Sequence, residues 1–398
     1  MRKLGFITPW YGENIPGGAE AALRDLVKHL HMAGISLEVL TTCVKQFNAD
    51  WNTNFYRSGL TKENGITIRR FPVRKRDTKA FNAVNYKLIK GLIVTDEDEG
   101  TFVREMINSP NLYNWLDKKS HEYALFVFIP YMFGTTYYGL QVAPRKSVLI
   151  PCFHDESYLK MDIFKKLFST IKGMIFNSYP EKLLAEHVYN LANVDKTIIG
   201  IGTDTHIIGN KCNFIKKYKI SKPFILYAGR KDEGKNVSLL IKYFAKYKSY
   251  NKESNLYLVL IGGGKISIPS SVINDIFDLG FLSTQDKYDA YTSAKILCQP
   301  SINESFSLVI MESWLCYCPV LVHSDCSVTK YFTKAANGGL YFSTYMEFEA
   351  CVNYILNNKD VAELMGEQGK HFVLENYAWE VIIKKYITYF NSLNGETL

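Results

Sequence analysis

Short apolar runs alternate with amphipathic stretches along most of the chain. Leu4–Thr8 is the first such run, and a loop over residues 9–18 follows it. From Ala19 onwards the apolar positions recur every three or four residues, the spacing of one helix face, until Gly34 ends the pattern. The residues on that face are Ala22, Leu23, Leu26, Val27 and Leu30. The pattern therefore predicts a buried strand followed by an amphipathic helix.

The order of strand and then helix continues through two successive series. In the first series, further strands are predicted at Ser36–Thr42, Ile66–Val73, Ala124–Ile129, Ser147–Pro151, Met174–Asn177 and Thr197–Ile201. The second series begins after Lys222-Pro223, with strands predicted at Phe224–Ala228, Leu256–Ile261, Ile296–Gln299 and Pro319–His323. Helices are predicted at Val237–Tyr250 and Ser307–Leu315.

This alternation predicts an α/β protein with two doubly wound, Rossmann-like domains, each built on a parallel sheet. We expect the first domain over residues 1–203 and the second over residues 204–377. Ligands of such sheets bind at the carboxyl ends of the strands. We therefore expect the two domains to face each other across a cleft in which the chemistry takes place.

Composition and charge narrow the class of protein. The 398 residues are 47% hydrophobic and 22% charged, as in globular proteins. No apolar run approaches the roughly 20 residues that span a bilayer. The first residues read as a strand and not as a signal peptide, so we expect a cytoplasmic protein. The net charge of +8 favours anionic partners. No segment resembles a nucleic-acid-binding module, and the eight cysteines lack the paired spacing of a zinc site.

Two cations follow the first strand of the second series. The segment Tyr227–Asn236 passes through Gly229 and presents Arg230 and, five residues later, Lys235 just before a predicted helix. Two cations at the carboxyl end of a strand suit a diphosphate, and the N-terminus of the following helix adds N–H donors. A solvated basic turn is the alternative interpretation.

Two carboxylates lie in the segment Gln299–Glu312. Glu304 is expected in a loop and Glu312, eight residues later, inside the helix that starts near Ser307. Carboxylates accept hydrogen bonds from paired sugar hydroxyls, and the free N–H groups of a helix start can bind phosphate. The spacing alone is a weak signal, whereas its context, Pro-Ser-x-x-Glu-Ser-Phe-Ser-Leu, is far more specific.

This context resembles the Glu-x7-Glu signature of the retaining family 4 glycosyltransferases, which have the GT-B fold. Other features resemble that family in the same order along the whole chain. They are the glycine-rich loop Pro16–Glu20, a cleft histidine at His154 within Pro151–Glu156, the Ala228–Arg230 segment with Lys235, and the nucleobase-lining segment Leu279–Leu282. The resemblance also implies that the amphipathic last helix, within residues 378–398, returns to the first domain.

The resemblance implies a role for each matching residue. Residues with an implied catalytic role are His154, Arg230, Lys235 and Glu304. The donor-binding residues would be Gly17, Gly18, Gly229, Arg230, Lys235, Phe281, Glu304, Ser305, Phe306, Ser307, Leu308 and Glu312. Glu304 and the neighbouring backbone amides would hold the donor sugar, Glu312 the ribose, and Arg230 with Lys235 the leaving diphosphate. Gly17 and Gly18 would let the backbone approach the donor. His154 would bind sugar and transition state, with a packed strand-end histidine as the alternative.

The acidic run Asp96–Asp98 matches the Asp-x-Asp pattern that holds a metal in another glycosyltransferase fold. Here the run follows Thr95 and opens a predicted helix that extends to about Asn108. Thr95 with Asp98 resembles a capping box, and acidic residues favour the first turn of a helix. We therefore interpret the run as a helix start and expect neither a metal nor another cofactor.

The strongest basic cluster is Arg69–Arg76. One interpretation is peripheral contact with an anionic membrane, at the inner face of the plasma membrane, or with a lipid-diphosphate acceptor. The other is a solvated strand end and loop. The sequence does not decide between them.

The resemblance implies a metal-independent, retaining glycosyltransferase of bacterial surface-polysaccharide type. It would move a sugar from a nucleotide-sugar donor to a lipid-linked or polysaccharide acceptor, with GDP-mannose as the first expectation and UDP-hexose and dTDP-rhamnose next. Two alternatives remain open. One is a GT-B nucleotide-sugar epimerase or hydrolase, and the other is a catalytically silent, sugar-nucleotide-binding subunit of a glycan assembly complex.

Overall fold

Two sheets, one in each of two units of the chain, form the framework of the computed structural model. It describes residues 2–13, 15 and 17–395. Unit 1 is Met1–Gly202 with Glu380–Leu398, and unit 2 is Thr203–Trp379. The fold class is the one predicted, with a doubly wound α/β arrangement in each unit. Among the described helices, none is both long and apolar enough to cross a membrane.

Unit 1 is built on an eight-stranded sheet with the order β3-β4-β2-β1-β5-β6-β7-β8. Its strands are β1 Lys3–Thr8, β2 Leu37–Thr42, β3 Gly59–Glu63, β4 Ile66–Phe71, β5 Tyr123–Phe128, β6 Ser147–Leu149, β7 Gly173–Phe176 and β8 Asp195–Ile198. Every residue of β2 and β5 is buried, because helices cover both faces of a doubly wound sheet and apolar side chains can point in both directions.

The helices of unit 1 form around this sheet. They are α1 Gly18–Met32, α2 Thr78–Ile89, α3 Asp96–Glu105, α4 Pro110–Lys119, α5 Gly134–Val142, α6 Asp162–Phe168 and α7 Tyr179–Val188. All five apolar positions predicted for the inner face of α1 are buried. The predicted capping box of α3 is confirmed: Thr95 accepts from the Asp98 N–H, and Asp98 accepts from the Thr95 N–H.

Unit 2 is built on a six-stranded sheet with the order β11-β10-β9-β12-β13-β14. Its strands are β9 Phe224–Ala228, β10 Tyr257–Ile261, β11 Ile276–Gly280, β12 Ile296–Gln299, β13 Val320–His323 and β14 Gly339–Phe342. Its helices are α8 Lys211–Tyr218, α9 Val237–Tyr250, α10 Thr284–Ser293, α11 Leu308–Leu315, α12 Ser327–Ala336, α13 Tyr345–Asn357 and α14 Lys359–Asn376. The sequence does not predict β11 and β14 as strands, because each is a partly exposed edge strand without a full apolar run.

The last described helix, α15 Trp379–Asn394, belongs to unit 1 from Glu380 onwards. The Tyr389 hydroxyl donates a hydrogen bond of 3.1 Å to the Asp195 carbonyl at the start of β8, and Tyr386 and Phe390 are buried. Residues 396–398 of the predicted returning segment lie outside the described residues.

One edge of the unit 1 sheet differs from the prediction of a parallel sheet. Strands β3 and β4 pair antiparallel, with Glu63 opposite Ile66. The two residues between them, Asn64 and Gly65, have φ angles of 51° and 82°, as two-residue hairpin turns of the primed type require. The Asn-Gly dipeptide is the local signal for this hairpin. The signal is missed by a search for apolar runs because β3 is mostly exposed.

We predict that Gly65→Ala lowers the free energy of unfolding by about 1–2 kcal/mol. An L-residue at positive φ is strained by roughly this amount, and a Cβ on Gly65 would also lie 2.9 Å from His31 Nε2. Urea denaturation measures the change. Gly100→Ala is the matched control, since Gly100 lies inside α3 with open space around it and should gain about 0.5–1 kcal/mol. Equal effects of the two substitutions would contradict the turn.

Candidate functional site

The loop after β9 presents Arg230 to solvent and then turns back toward the sheet. The Arg230 side chain is 68% exposed, and its Nε lies 3.3 Å from Asp232 Oδ2. The buried Tyr227 hydroxyl donates a hydrogen bond of 2.6 Å to the Arg230 carbonyl. Asp232 Oδ1 accepts from the Lys235 N–H at 3.0 Å, which closes a short turn. The loop thus holds an outward-facing guanidinium and directs Lys235 toward the neighbouring strand end.

Lys235 and Glu304 form an ion pair at the ends of two adjacent strands. Lys235 Nζ lies 2.6 Å from Glu304 Oε1, and the two side chains are only 23% and 12% exposed. Gln299 Nε2 donates to the same oxygen at 3.4 Å. Asn236 Nδ2 donates to the Pro300 carbonyl at 3.2 Å, which ties the turn after β9 to the end of β12. An ammonium has three N–H donors, so Lys235 keeps donors for a further anion.

Backbone donors lie directly after Glu304. Among the hydrogen bonds of the described residues, none is donated by the backbone N–H of Ser305, Phe306, Ser307 or Leu308. The side chain of Phe306 is buried, with ring centroids 5.1 Å from Phe332 and 5.2 Å from Tyr377. This packing holds the loop in place while its amides stay available, an arrangement that suits an anion.

Two buried polar atoms beside this ion pair have no hydrogen-bond partner within the described residues. They are Gln299 Oε1 and Ser307 Oγ. A buried acceptor or hydroxyl left unpaired costs roughly 1–3 kcal/mol. Unpaired groups of this kind, grouped beside an ion pair and open amides, indicate a place where a polar ligand completes the hydrogen bonding.

Glu312 lies in the second turn of α11, as the sequence predicts, and its two oxygens have separate partners. Lys287 Nζ approaches Oε1 at 2.5 Å, and the Tyr291 hydroxyl donates to Oε2 at 2.8 Å. Burial, followed by the charge of Glu312, raises the pKa of Tyr291 well above its ordinary value. Lys287 and Tyr291 are not predicted from the sequence, although their spacing of four residues on α10 puts them on one helix face.

Phe281 follows β11 directly and is 78% exposed. A Cβ on Gly263 would lie 2.6 Å from its ring, so the ring covers the glycine loop after β10. An exposed aromatic ring can stack on another planar group.

The predicted glycines of unit 1 lie at the start of α1. Gly17 is the N-cap with a φ of 135°, and a side chain there would collide with the Glu20 carboxylate. Gly18 is the first residue of the helix, and nothing lies within 4 Å of where its Cβ would be. Trp10 Nε1 donates to Glu20 Oε1 at 2.9 Å and fixes that carboxylate. Pro16, the first residue of the predicted motif, lies outside the described residues.

A polar cavity of about 450 Å³ lies beside this loop in unit 1. Its walls carry carboxylate, amide, phenol and cationic groups. The lining residues are Gly12, Glu13, Ile15, Lys45, Gln46, Tyr56, Glu63, Asn64 and Arg70. Such a mixture of donors and acceptors suits a hydroxyl-rich ligand better than an apolar one.

His154 is half-buried in the loop after β6, and the buried carboxyl group of Glu181 fixes that loop. Glu181 accepts from the Phe153 N–H at 2.7 Å and from the Asn177 N–H at 2.6 Å. Burial raises the pKa of Glu181 from 4.5 to about 8, and the backbone hydrogen bonds oppose the shift. Glu181 is missed by the sequence interpretation because it reads as one more acid in the first turn of α7.

The basic cluster Arg69–Arg76 is mostly engaged inside unit 1. Arg69 pairs with Glu38 at 2.7 Å and stacks on Trp115, and Arg70 is buried against Glu63. Arg74 pairs with Glu105 at 3.1 Å, and Arg76 lies over the rings of Trp51 and Phe81. Of the five cations in the segment, only Lys75 falls in the exposed class. Peripheral membrane contact through this segment stays a prediction, with less fully exposed charge to carry it than the sequence alone indicates.

Asp98 of the acidic run is engaged in the cap of α3 and with Lys87 Nζ, 2.8 Å from Oδ2. Over the described residues, no group of three or more His, Cys, Asp or Glu side chains is arranged to hold a metal ion.

Residues 211–372 match the family model of the glycosyl transferases group 1. The matched residues all lie within unit 2. The match includes the loop after β9, the whole of α10 and α11, and the Glu304 segment between them.

Two curated relatives share part of the chain. An uncharacterized glycosyltransferase of Methanocaldococcus jannaschii is 24% identical over 226 residues, 54% of this chain and 55% of the relative. The N-acetylgalactosamine-N,N'-diacetylbacillosaminyl-diphospho-undecaprenol 4-alpha-N-acetylgalactosaminyltransferase of Campylobacter jejuni is 31% identical over 125 residues, 30% of this chain and 32% of the relative. The chain thus matches 55% of the length of the first relative and 32% of the length of the second.

Solved structures extend the likeness of fold to the whole chain. HepE of Anabaena in complex with UDP-glucose superposes with a TM-score of 0.68 at 14% sequence identity, covering 98% of this chain and 100% of that chain. Its likeness, with that of other glycosyltransferase neighbours, confirms the predicted GT-B fold.

We predict that Glu181 makes the stability of the protein pH-dependent. Its pKa is raised on folding, so its contribution is complete below pH 4.5 and is lost as the pH rises toward about 8. The slope cannot exceed about 1.4 kcal/mol per pH unit for one proton. Denaturant unfolding of wild type and Glu181→Gln across this range measures the effect. Glu186→Gln, at the surface of the same helix, is the control. Parallel stability curves for wild type and Glu181→Gln would contradict a buried, protonated Glu181.

Proposed function

We propose that the chain is a retaining α-glycosyltransferase that transfers a sugar from a nucleotide-sugar donor. The observation that carries the proposal is the Lys235–Glu304 ion pair of 2.6 Å, beside open amides and the unpartnered Ser307 Oγ. These groups lie in the part of the chain that matches a glycosyltransferase family. Together they offer a cation for phosphate, a carboxylate for hydroxyls, and backbone donors for either.

Each group has a place in the proposed reaction. The bond between the anomeric carbon and the diphosphate oxygen breaks, and a bond forms from that carbon to the acceptor oxygen on the same face. The acceptor proton passes to a phosphate oxygen of the leaving diphosphate, so atoms and charge balance without a protein base. Arg230 and Lys235 would stabilise the negative charge that develops on the diphosphate. Glu304 would orient the sugar hydroxyls, and His154 would bind sugar and transition state.

The remaining donor contacts complete the proposal. Glu312, already oriented by Lys287 and Tyr291, would accept from the ribose hydroxyls, and Phe281 would contact the base. Gly17 and Gly18 would admit the donor to the start of α1. No metal has a role in this proposal, because the cationic side chains and the amides supply the charge stabilisation.

The proposed donor is GDP-mannose first, and UDP-hexose or dTDP-rhamnose next. The Anabaena neighbour binds UDP-glucose, which supports the class of donor but not the base. The proposed acceptor is a lipid-linked or polysaccharide glycan of a surface-glycan pathway. The Campylobacter relative supports a lipid-linked acceptor, since its name refers to a diphospho-undecaprenol. The polar cavity of unit 1 is of a size that suits one or two sugar residues.

We predict that one nucleoside diphosphate among GDP, UDP, dTDP and ADP raises the melting temperature. A ligand at 100 times its dissociation constant adds about 2.7 kcal/mol of stability. The double variant Arg230→Ala/Lys235→Ala should lose most of this gain, because it removes both cations from the diphosphate. Lys211→Ala/Lys216→Ala, exposed on α8, removes the same charge elsewhere and should keep the gain. A wild type that none of the four nucleotides stabilises would contradict the proposed donor site.

We also predict that Glu304→Gln lowers kcat by roughly 100- to 1,000-fold, as the loss of one transition-state contact does. Nucleoside diphosphate binding should stay within a few-fold of wild type. The assay uses the sugar donor of the stabilising nucleotide, with NMR of the anomeric configuration of the product. Glu312→Gln is the comparison variant, and we expect it to raise KM more than it lowers kcat. Inversion of configuration, or donor turnover without acceptor, would contradict the proposal, and the latter outcome would favour an epimerase or hydrolase.

A further inference from the structure

Lys231 follows Arg230 directly, yet its side chain turns into the protein. It is 1% exposed, whereas the neighbouring Arg230 guanidinium is in solvent. Fully buried lysines are rare in proteins unless they are paired. We therefore expect Lys231 to have specific buried partners. The sequence analysis does not predict a role for this residue.

The contacts of Lys231 join three strand ends of the unit 2 sheet. Its Nζ donates to the Gly262 carbonyl at 2.6 Å and lies 2.7 Å from Asp278 Oδ1, and its backbone N–H donates to the Gly263 carbonyl at 2.7 Å. The same Asp278 oxygen accepts from the Gly280 N–H at 3.1 Å. One cation thus links the loops that follow β9 and β10 to the end of β11.

The linked backbone carries the exposed Phe281 ring. Phe281 is the residue after Gly280, and its ring lies over Gly263. The Gly262 N–H also donates to the Gly280 carbonyl at 2.7 Å. The glycine loop beneath the ring is therefore hydrogen-bonded both to the end of β11 and, through Lys231, to the loop after β9. A ring that is held in one orientation before the ligand arrives binds more tightly, since ordering it afterwards lowers affinity.

We propose that the Lys231–Asp278 pair is a positioning element that holds Phe281 as a stacking platform for the planar base of a nucleoside diphosphate. The inference rests on the proposed function. It divides recognition of the donor into two parts: Arg230 and Lys235 bind the diphosphate, and the Lys231–Asp278 pair acts on the base through Phe281. Stacking accepts any base, so the platform contributes affinity and not the choice among bases.

The experiment compares two probes on the same protein by calorimetry: inorganic pyrophosphate and the nucleoside diphosphate that stabilises the wild type. Phe281→Ala removes the platform directly, and Lys231→Met/Asp278→Asn removes both charges of the buried pair together. We expect each variant to weaken the nucleoside diphosphate roughly 5- to 100-fold, the usual effect of losing one stacked base. Pyrophosphate affinity should stay within twofold of wild type.

Further variants separate positioning from general damage. Lys231→Arg, which keeps the cation, should restore most of the affinity. Adding Phe281→Ala to Lys231→Met/Asp278→Asn should cause no further loss, because both changes remove the same platform. If the double variant does not fold, Asp278→Asn alone replaces it, since Asp278 is partly exposed and asparagine keeps an acceptor for the Gly280 N–H.

Three results would overturn the inference alone: unchanged nucleotide affinity in Phe281→Ala or in the pair variant, equal losses for both probes, or fully additive losses. A wild type that binds no nucleoside diphosphate would instead overturn the proposed donor site, and the inference with it. The two failures are therefore distinguishable in one titration series.

Discussion

In unit 2, β9 pairs in parallel with both of its neighbours, β10 and β12. The loops that follow these three strands therefore leave the sheet on the same side, at the carboxyl ends of the strands. Parallel pairing makes their carboxyl ends coincide, although the residues concerned are as far apart as Arg230 and Glu304 in the sequence. The glycine loop after β10, the turn after β9 and the start of α11 meet there for this reason. The ion pair, the open amides and the Phe281 platform all depend on this pairing.

Three cations within six residues illustrate how exposure decides what a charged side chain does. Arg230 faces solvent, where it can neutralise an anion that binds there. Lys235 is partly buried and oriented by Glu304. Lys231 is fully buried, and its ammonium is bound by Asp278 and a backbone carbonyl, so it acts within the fold. The geometry of the loop thus gives two lysines different roles: Lys231 stabilises the fold, and Lys235 lies at the candidate site.

Unit 1 uses buried acidic side chains in a different way. Glu181 satisfies backbone N–H groups of the loop that bears His154, at the expense of burying a carboxyl group, which is the cause of its raised pKa. The buried Glu38 likewise pairs with Lys3 and Arg69 and accepts a hydrogen bond from the Tyr123 hydroxyl. Several cations of the Arg69–Arg76 segment have internal partners of this kind.

Local features of the sequence suffice for a large part of the fold. The strand at Phe224–Ala228 and the helix at Val237–Tyr250 have the predicted bounds, since periodicity and end signals act over a few residues. The capping box at Thr95 and the placement of Glu312 inside α11 are local for the same reason. The ordered motifs could name the candidate donor residues, because a strand end and a helix start locate them without knowledge of their neighbours.

Only the tertiary structure decided which polar groups become buried and with what partners. Decisive partners are distant in sequence: Lys231 pairs with Asp278, Glu181 accepts from Phe153, and Arg69 pairs with Glu38. No short window of residues contains this information. The edge strands β3, β11 and β14 are similar cases, because their pairing is set by a neighbouring strand and not by an apolar run of their own. Burial and ion pairing are properties of three-dimensional proximity, whereas periodicity is a property of the chain.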